Sequence, residues 1–233
     1  MDSTASDWVS ETAFGKWFLG TDTWFRYVLA QAVADLDGLA GNTLPRPPQR
    51  LMDAGCGQGT AFPLLQAHFA PAEIIGVDVD AALLGRARAA AANCMQPVTL
   101  LNANARRLDL PDAHVDVVFC HQLIHHVVDQ EAVLRELHRV LAPGGVLLLS
   151  ESCKVFIDSW PVRWFFRHPR GVQKTAEGYE AMVRGAGFAI DDAQVQRYTP
   201  WWSLPDLGLM RRLGLRRGTP VASEIQIVAR KAG

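Results

Sequence analysis

The chain has 233 residues, of which 49% are hydrophobic and 20% charged, a balance typical of one globular domain with a full core. Its formal net charge of −1 provides no general attraction to nucleic acid, so we expect no nucleic-acid partner. We also expect no membrane-spanning helix, because no run of about 18 apolar residues occurs. The segment Met1–Ser10 carries Asp2 and Asp7 but no base, so it does not predict a signal peptide. The four cysteines form no C-x-x-C pair, which predicts reduced thiols and a cytoplasmic location.

The N-terminal part, residues 1–49, is predicted to be a helical cap. Apolar residues recur at helical spacing from Thr12 to Leu36. A proline-rich linker follows from Gly41 to Gln49. We therefore expect one helix with an aromatic side, followed by an extended connection.

The central part, residues 50–151, alternates short apolar strands with helices. The predicted strands are Arg50–Ala54, Glu73–Val79, Val98–Leu101, Val115–Cys120 and Val146–Ser150. The predicted helices are Thr60–Phe69, Ala81–Ala92 and Asp129–Leu141, the last of them stopped by Pro143-Gly144-Gly145. This alternation predicts βαβ units in a mainly parallel sheet, with helices on both faces. The fold class is therefore a doubly wound, Rossmann-like α/β fold.

The last part, residues 152–233, is predicted to carry a substrate-side insert and the C-terminal strands. An irregular, aromatic and basic stretch from Ser152 to Val172 precedes a helix from Thr175 to Ala186. Strands are predicted at Phe188–Tyr198 and Glu224–Arg230, with a long connection from Thr199 to Ser223. We expect residues 152–233 and the two preceding parts of the chain to form a single domain.

A glycine-rich turn follows the first predicted strand. Its spacing, Gly55-x-Gly57-x-Gly59, lets a ligand approach the main chain closely. The spacing differs from the G-x-G-x-x-G of dinucleotide-binding proteins, and an acid, Asp53, precedes it. A carboxylate there suits a cationic amino group and repels a pyrophosphate. The alternative is an aspartate that only caps the turn.

A second acid ends the next predicted strand, in Gly76-Val77-Asp78-Val79-Asp80. In open α/β sheets ligands bind at the carboxyl ends of the strands, where an acid accepts hydrogen bonds from ribose hydroxyls. We therefore predict that Asp78 binds a ribose. Asp80 is predicted to cap the helix that begins at Ala81.

Three segments together resemble the class I S-adenosylmethionine-dependent methyltransferases, in particular the subgroup that acts on quinones and small metabolites. They are D-A-G-C-G-Q-G at Asp53–Gly59, G-V-D at Gly76–Asp78, and L-R-E-L-H-R-V-L-A-P-G-G at Leu134–Gly145. The resemblance implies a seven-stranded sheet whose last strand, Glu224–Arg230, is antiparallel. It also implies S-adenosylmethionine as methyl donor, S-adenosylhomocysteine as product and a small-molecule acceptor.

The same resemblance implies further cofactor-binding residues. Asn104 stands where the family often has an acid that meets the adenine amino group, and its side-chain carbonyl can accept that hydrogen bond. His121 follows the fourth strand, where relatives contact the methionine part of the cofactor. The predicted cofactor site comprises Asp53, Gly55, Cys56, Gly57, Asp78, Val79, Asn104, Ala105 and His121.

Two adjacent histidines, His125 and His126, are the candidate catalytic residues. Some natural-product relatives place histidines here facing the acceptor, and an imidazole takes a proton from a phenol or amine near neutral pH. The alternative is a histidine that caps or packs at a helix start, since an activated sulfonium needs little acid–base help. Clustered zinc-binding patterns are absent from the sequence, and Cys120-His121-Gln122 offers no acid, so no metal is expected.

All seven tryptophans lie outside residues 50–151. We predict an aromatic cap for a flat or apolar acceptor, formed by Trp17, Trp24, Trp160, Trp164, Trp201 and Trp202. The alternative is that these rings pack on one another as a satellite core. Basic residues gather in the same segments: Arg163, Arg167, Arg170, Arg211, Arg212, Arg216 and Arg217. We favour a solvated surface for them over an anionic acceptor or a peripheral membrane contact.

The sequence as a whole predicts an enzyme that transfers a methyl group from S-adenosylmethionine to a small, aromatic or apolar acceptor by in-line displacement. Two alternatives stay open. One is a noncatalytic cofactor-binding or scaffold protein, and the other is a nicotinamide-dependent oxidoreductase on a similar fold. The acceptor atom and the oligomeric state also stay open at this point.

Overall fold

A mixed sheet of seven strands forms the centre of the protein, in the order β3-β2-β1-β4-β5-β7-β6. The computed structural model describes residues 8–45, 47–204, 209–214 and 221–233. The strands are β1 Arg50–Ala54, β2 Glu73–Asp78, β3 Val98–Asn102, β4 Val115–His121, β5 Leu141–Ser152, β6 Phe188–Tyr198 and β7 Glu224–Lys231. β7 runs antiparallel to both of its neighbours, β5 and β6, whereas the pairs among β1 to β5 are parallel. The predicted fold class and the antiparallel last strand are confirmed.

Helices pack on both faces of this sheet. They are α1 Ala13–Phe18, α2 Asp22–Trp24, α3 Ala30–Ala40, α4 Phe62–Phe69, α5 Ala81–Ala92, α6 Gln130–Val140, α7 Lys154–Ile157, α8 Trp160–Phe165, α9 Ala176–Gly185 and α10 Leu209–Arg212. Side chains alternate across a strand, so β1 serves two cores. Leu51 packs in the cluster that contains Leu36 of α3 and Leu65 of α4. Met52 packs in the opposite cluster with Leu137 of α6.

The N-terminal segment differs from the single helix that we predicted. α1 ends at Phe18, and a new helix begins at Asp22 because the Thr21 hydroxyl accepts a hydrogen bond from the Trp24 N–H at 3.3 Å. The chain then passes through a π-helical stretch, Phe25–Leu29, into α3. The prediction of one continuous helix is therefore wrong at a capping threonine, whose hydroxyl favours a helix start over a helix interior.

Two further boundaries differ from the prediction. β5 begins at Leu141, because Leu141 pairs with Val115 of β4 before a register shift brings Val146 opposite Val117. The Pro143-Gly144-Gly145 stretch thus belongs to the strand rather than to a loop after α6. The stretch predicted as irregular after Ser152 contains the short helices α7 and α8.

The carboxyl ends of β1, β2, β4 and β5 meet at one edge of the sheet, since these strands are parallel neighbours. This edge carries Asp53, Asp78, His121 and Glu151. Within the described ranges, no helix is both long and apolar enough to cross a bilayer. All four cysteines are unpaired. The segment 1–7, with Asp2 and Asp7, lies outside the described residues, as do Arg216, Arg217 and the side chain of Arg211.

Candidate active site

The turn after β1 leaves its main chain open on one side. Gly55 and Gly57 have φ angles of 80° and 54°, in the left-handed region that favours glycine. The N–H groups of Gly55 and Cys56 donate to the carbonyl of Val77 at 2.8 and 2.9 Å, which holds the turn against β2. A Cβ added to Gly57 would meet no atom within 4 Å, so this part of the turn is free to lie against a ligand.

Asp53 is a buried acid without a polar partner. Asp53 is only 3% exposed to solvent. Its Oδ2 atom has no hydrogen-bond partner among the described residues. Burial, together with the charge of Asp78, raises the pKa of Asp53 to about 8. A buried carboxylate is costly unless it is paired. The position therefore fits a ligand that brings a positive charge.

Asp78 ties the turn to the end of β2. Its Oδ2 accepts a hydrogen bond from the Gly57 N–H at 2.8 Å, and its Oδ1 accepts one from the Asp80 N–H at 2.8 Å. Burial raises the pKa of Asp78, and these hydrogen bonds oppose the rise. A carboxylate offers about four lone-pair positions, so Asp78 can still accept bonds from two hydroxyl groups.

Asp80 has a different role from Asp78. Its Oδ1 accepts hydrogen bonds from the N–H groups of Ala82 and Leu83, so it caps α5 as predicted. Its Oδ2 lies 2.7 Å from Lys16 Nζ, and this bond holds the pKa of Asp80 below its usual value. The ion pair connects α1 to the sheet edge.

All the predicted cofactor residues line one cavity, which has a volume of 180 Å³. These are Asp53, Gly55, Cys56, Gly57, Asp78, Val79, Asn104, Ala105 and His121. The Oδ1 of Asn104 accepts a hydrogen bond from the Arg106 N–H at 3.0 Å, so one of its lone pairs stays available to a ligand. We call this space the nucleoside cavity.

His121 forms part of the wall of the nucleoside cavity. Its ring stacks on Phe119 at 5.9 Å and meets the edge of Trp24 at 5.7 Å. Burial, with a smaller effect of His125, lowers the pKa of His121 to about 3, so the ring is neutral. Its Nε2 is buried without a hydrogen-bond partner among the described residues, and is therefore free to meet a ligand.

His125 is held by a buried glutamate. His125 lies on a short 3-10 helix, Ile124–His126, directly after the turn that follows β4. Its Nδ1 lies 2.6 Å from Oε2 of Glu151, and both side chains are almost fully buried. Oε1 of Glu151 accepts the N–H groups of Leu123 and Ile124 at 2.9 and 2.7 Å, which fixes the carboxylate. The carboxylate oxygen accepts a hydrogen bond from Nδ1–H, so in the tautomer with one ring hydrogen the lone pair of His125 is on Nε2.

His126 and His168 pack beside His125. The ring centroids lie 4.4 Å apart for His125 and His126, 5.1 Å for His125 and His168, and 4.8 Å for His126 and His168. Oε1 of Glu11 lies 3.5 Å from Nε2 of His126 and 3.8 Å from Nε2 of His168. Burial lowers the pKa of His126 far below its usual value and that of His168 to about 3, and it raises the pKa of Glu11. We call these four residues the histidine cluster.

A second cavity of 470 Å³ lies beside the nucleoside cavity, and we call it the acceptor cavity. Its wall is mainly aromatic and aliphatic, with Phe18, Val28, Phe156, Val162 and Phe166 among the lining side chains. All members of the histidine cluster line it as well. The residues that line both cavities are Glu11, Leu19, Trp24, Gln122 and His126. The two spaces therefore meet at a junction that includes part of the histidine cluster.

The structure divides the predicted tryptophan cap into two groups. Trp24, Trp201 and Trp202 line the acceptor cavity. Trp17, Trp160 and Trp164 line neither cavity, and their residues are 64%, 66% and 77% exposed. The predicted placement of these three in the pocket is therefore corrected: Trp160 and Trp164 share the outer side of α8, while Pro161, Val162 and Phe165 face inward.

The comparisons with known proteins agree with this geometry. Residues 52–149 match the model of a family described as a methyltransferase domain. The 27-O-demethylrifamycin SV methyltransferase of Amycolatopsis mediterranei is 33% identical over 177 residues, which are 72% of this chain and 64% of that protein. Residues 52–149 therefore form a methyltransferase domain of the class I S-adenosylmethionine-dependent kind.

One further curated protein and one solved structure are also similar to this chain. The demethylmenaquinone methyltransferase of Symbiobacterium thermophilum is 33% identical over 145 residues, 61% of this chain and 52% of that protein. The chain therefore spans less than two thirds of the curated relatives it matches. A chain in the solved complex between the Haloferax volcanii Trm112 methyltransferase activator and the putative methyltransferase shares the fold. Its TM-score is 0.68 at 17% identity, covering 97% of this chain and 100% of that one.

Several residues of the candidate site were not singled out by sequence reasoning. They are Glu11, Gln122, Glu151 and His168. Glu11 and His168 come from segments far apart in the chain, and no spacing pattern links them to His125. The sequence did contain a signal for Glu151, because this acid ends an apolar strand. A charge buried there requires a partner, and Glu151 is fully buried.

Proposed function

We propose that this methyltransferase transfers the methyl group of S-adenosylmethionine to a small, aromatic or apolar acceptor by in-line displacement. The observation that carries the proposal is the junction of the two cavities. One cavity holds an unpaired buried acid and an open glycine turn, and the other is an apolar space that ends at the same shared residues. A donor in the first and an acceptor in the second would face each other there.

The residues of the nucleoside cavity fit the methyl donor. Asp53 would pair with the cationic amino group, which supplies the partner that its Oδ2 lacks. Asp78 would accept the ribose hydroxyls, and Asn104 with Ala105 would border the adenine. Gly55, Cys56 and Gly57 allow close approach of the main chain, while Val79 and His121 complete the wall. When bound, the donor supplies a sulfonium methyl group that is already activated for displacement.

The acceptor would lose its proton at the histidine cluster. His125 and His126 both line the acceptor cavity, and His126 also lines the nucleoside cavity. Glu151 fixes the tautomer of His125, which leaves a lone pair on Nε2. The proton of the acceptor would leave as the new bond to carbon forms and the bond from carbon to sulfur breaks. Apolar walls exclude water from this step.

The aromatic lining supports an acceptor with an extended apolar surface. Trp24, Trp201 and Trp202, together with Phe156 and Phe166, offer flat faces in a cavity of 470 Å³. The relatives described above are named for a demethylrifamycin and for demethylmenaquinone. Those names support an acceptor of the natural-product or quinone class.

The proposal also covers the domain organisation of the chain, its location in the cell and its partners. We propose a single domain in which residues 1–49 and 152–233 supply the acceptor side and residues 50–151 supply the cofactor side. Contacts from α1 support this, since Lys16 binds Asp80 at the sheet edge. A cytoplasmic location is supported by the four unpaired cysteines. No nucleic-acid partner is proposed, because the net charge is −1.

Binding and turnover together test the function. Calorimetry of the purified chain should show binding of S-adenosylhomocysteine and none of NAD⁺ or NADP⁺. Incubation with S-adenosylmethionine carrying a deuterated methyl group should then transfer that mass to a member of a panel of phenols, quinols, alcohols and amines. Asp78→Asn should weaken the binding of S-adenosylhomocysteine by at least tenfold. Folded protein that binds only a nicotinamide cofactor would overturn the proposal, and binding with no transfer to any acceptor would favour the noncatalytic alternative.

A further inference from the structure

The histidine cluster has the composition of a transition-metal site. One potential ligand atom from each of His125, His126 and His168 lies within 4.8 Å of the others. The carboxylate of Glu11 lies 3.5 Å from His126 Nε2 and 3.8 Å from His168 Nε2. Three imidazole nitrogens form a ligand set found in catalytic Zn²⁺ sites, and imidazole also suits related divalent transition-metal ions.

The surroundings of the rings resemble the support that metal-binding histidines receive. Such a histidine almost always donates its other ring N–H to a carboxylate or a main-chain carbonyl. Glu151 accepts the Nδ1 hydrogen of His125 at 2.6 Å and is itself fixed by main-chain donors. The His125 imidazole is therefore held from behind by a carboxylate.

We propose that His125, His126 and His168 bind one divalent transition-metal ion, Zn²⁺ by ligand type, at the junction of the two cavities. Tetrahedral zinc with bonds of about 2.0–2.1 Å places its ligands about 3.3 Å apart. The three ligand atoms now lie within 4.8 Å of one another, and binding an ion would draw them together to that spacing. Three histidines leave a fourth position open, as catalytic zinc sites do.

The position of the site gives the ion a task in methyl transfer, and this part rests on the proposed function. His126 and Glu11 line both cavities, so an ion at the cluster faces the acceptor beside the donor. An acceptor hydroxyl would coordinate through oxygen in the open position, and its O–H bond would break with the proton passing to Glu11. A bound ion lowers the pKa of a coordinated hydroxyl strongly. The acceptor therefore carries a phenol or alcohol oxygen.

Metal binding can be measured without turnover. The full chain is treated with EDTA, dialysed and titrated with ZnCl₂ in a calorimeter, and in parallel with CoCl₂ while visible absorption is recorded. We expect one equivalent of Zn²⁺ to bind, and Co²⁺ to give the intense absorption bands of a four-coordinate site. His168→Gln should weaken Zn²⁺ binding at least 100-fold, and Glu151→Gln, behind His125, about 10- to 100-fold.

Controls separate this inference from the proposed function. His68→Ala removes a histidine of α4 that is outside the cluster and should leave Zn²⁺ binding unchanged. S-adenosylhomocysteine is titrated into the same metal-free samples. Folded protein that binds no stoichiometric Zn²⁺, or binds it equally after His168→Gln, would overturn the metal site even if S-adenosylhomocysteine still binds. Loss of S-adenosylhomocysteine binding with Zn²⁺ binding intact would instead overturn the proposed function.

Discussion

His125 Nδ1 and Glu151 Oε2 lie 2.6 Å apart at the end of two neighbouring parallel strands, and the glutamate side chain is 0% exposed. Glu151 also accepts main-chain hydrogen bonds from Leu123 and Ile124. The carboxylate thus connects the imidazole to the backbone that carries it. The orientation of His125 is set from behind, by a residue that lines neither cavity.

The first prediction concerns this pair. Glu151→Gln should lower kcat for methyl transfer by about 10- to 100-fold, because an amide oxygen holds the ring less firmly than a carboxylate does. The KM for S-adenosylmethionine should change little, since Glu151 does not line the nucleoside cavity. Steady-state kinetics check both values. Glu131→Gln, an exposed glutamate of α6, is the control, and equal kcat values for the two variants would contradict the role of Glu151.

The second prediction concerns Asp53. Its pKa of about 8 means that the free site holds a proton near pH 7, and pairing with an ammonium group would release that proton. The affinity for S-adenosylhomocysteine should therefore rise between pH 6 and pH 8. Asp53→Asn should weaken binding by about 10- to 100-fold, the usual worth of a hydrogen bond to a charged group. Calorimetry in two buffers of different ionisation enthalpy counts the released proton. A variant that releases the same proton would show that another group is responsible.

The third prediction concerns Gly57. Its φ of 54° costs a side-chain-bearing residue about 1–2 kcal/mol, so Gly57→Ala should lower the free energy of unfolding by about that amount. The added methyl group would also stand where we place the ligand, so binding of S-adenosylhomocysteine should fall at least tenfold.

A glycine elsewhere in the chain provides the control. Gly85 lies within α5, and a Cβ there meets no atom within 4 Å. Gly85→Ala should raise the free energy of unfolding by up to about 1 kcal/mol and leave binding unchanged. Urea unfolding and calorimetry of the two variants make the comparison. A Gly57→Ala protein that binds normally would show that the ligand does not approach this turn.

The fourth prediction concerns the stability of the fold. Burial raises the pKa of Glu224 from 4.5 to about 8, although Ser152 and Gln122 donate hydrogen bonds to it. Between these two values the folded state holds a proton that the unfolded state has lost. The free energy of unfolding should therefore fall as the pH rises from about 4.5 to about 8, by on the order of 5 kcal/mol from this group.

Glu224→Gln isolates this effect, because an amide of the same shape cannot ionise. The free energy of unfolding of the variant relative to the native chain should increase as the pH rises through that window. Chemical unfolding at pH 5 and pH 8.5 measures the difference. Two curves that stay parallel would mean that Glu224 titrates normally in the folded protein.

The fifth prediction separates the tryptophans. Trp202 lines the acceptor cavity and meets the Phe156 ring edge-on at 5.4 Å, whereas Trp164 is 77% exposed and lines neither cavity. Trp202→Ala should raise the KM for an aromatic acceptor about tenfold without changing S-adenosylhomocysteine binding. Trp164→Ala should change neither value. Acceptor kinetics of both variants decide, and the reverse order would place the acceptor on the outer side of α8.

Sequence reasoning succeeded where one local signal fixes the structure. Apolar runs set the strands, and a carboxylate at Asp80 set the start of α5. The predictions were wrong where a capping residue interrupts a helical pattern, and where the side of a helix that faces the protein had to be known. Thr21 divides a helix that the apolar periodicity treats as continuous. Trp160 and Trp164 are spaced to share one side of α8, but spacing alone does not say whether that side faces inward or outward.

The candidate site shows the same limit. Asp53, Gly57 and Asp78 follow from one motif and its neighbouring strand, and they line a common cavity. His168 and Glu11 reach the histidine cluster only because α8 and α1 fold over the sheet edge, where Thr12 Oγ1 donates to the Phe165 carbonyl at 2.6 Å. Contacts of this kind depend on three-dimensional packing, which no spacing in the sequence records.

The shared border of the two cavities limits how the protein can diversify. A change at Trp24, Leu19 or Gln122 alters the donor and acceptor walls at once, so selection on one partner acts on the other. Phe156, Val162 and Trp202 line the acceptor side alone. Substitutions at the positions that line only the acceptor cavity can therefore change the acceptor preference. The positions that line both cavities remain constrained, because the methyl donor stays the same.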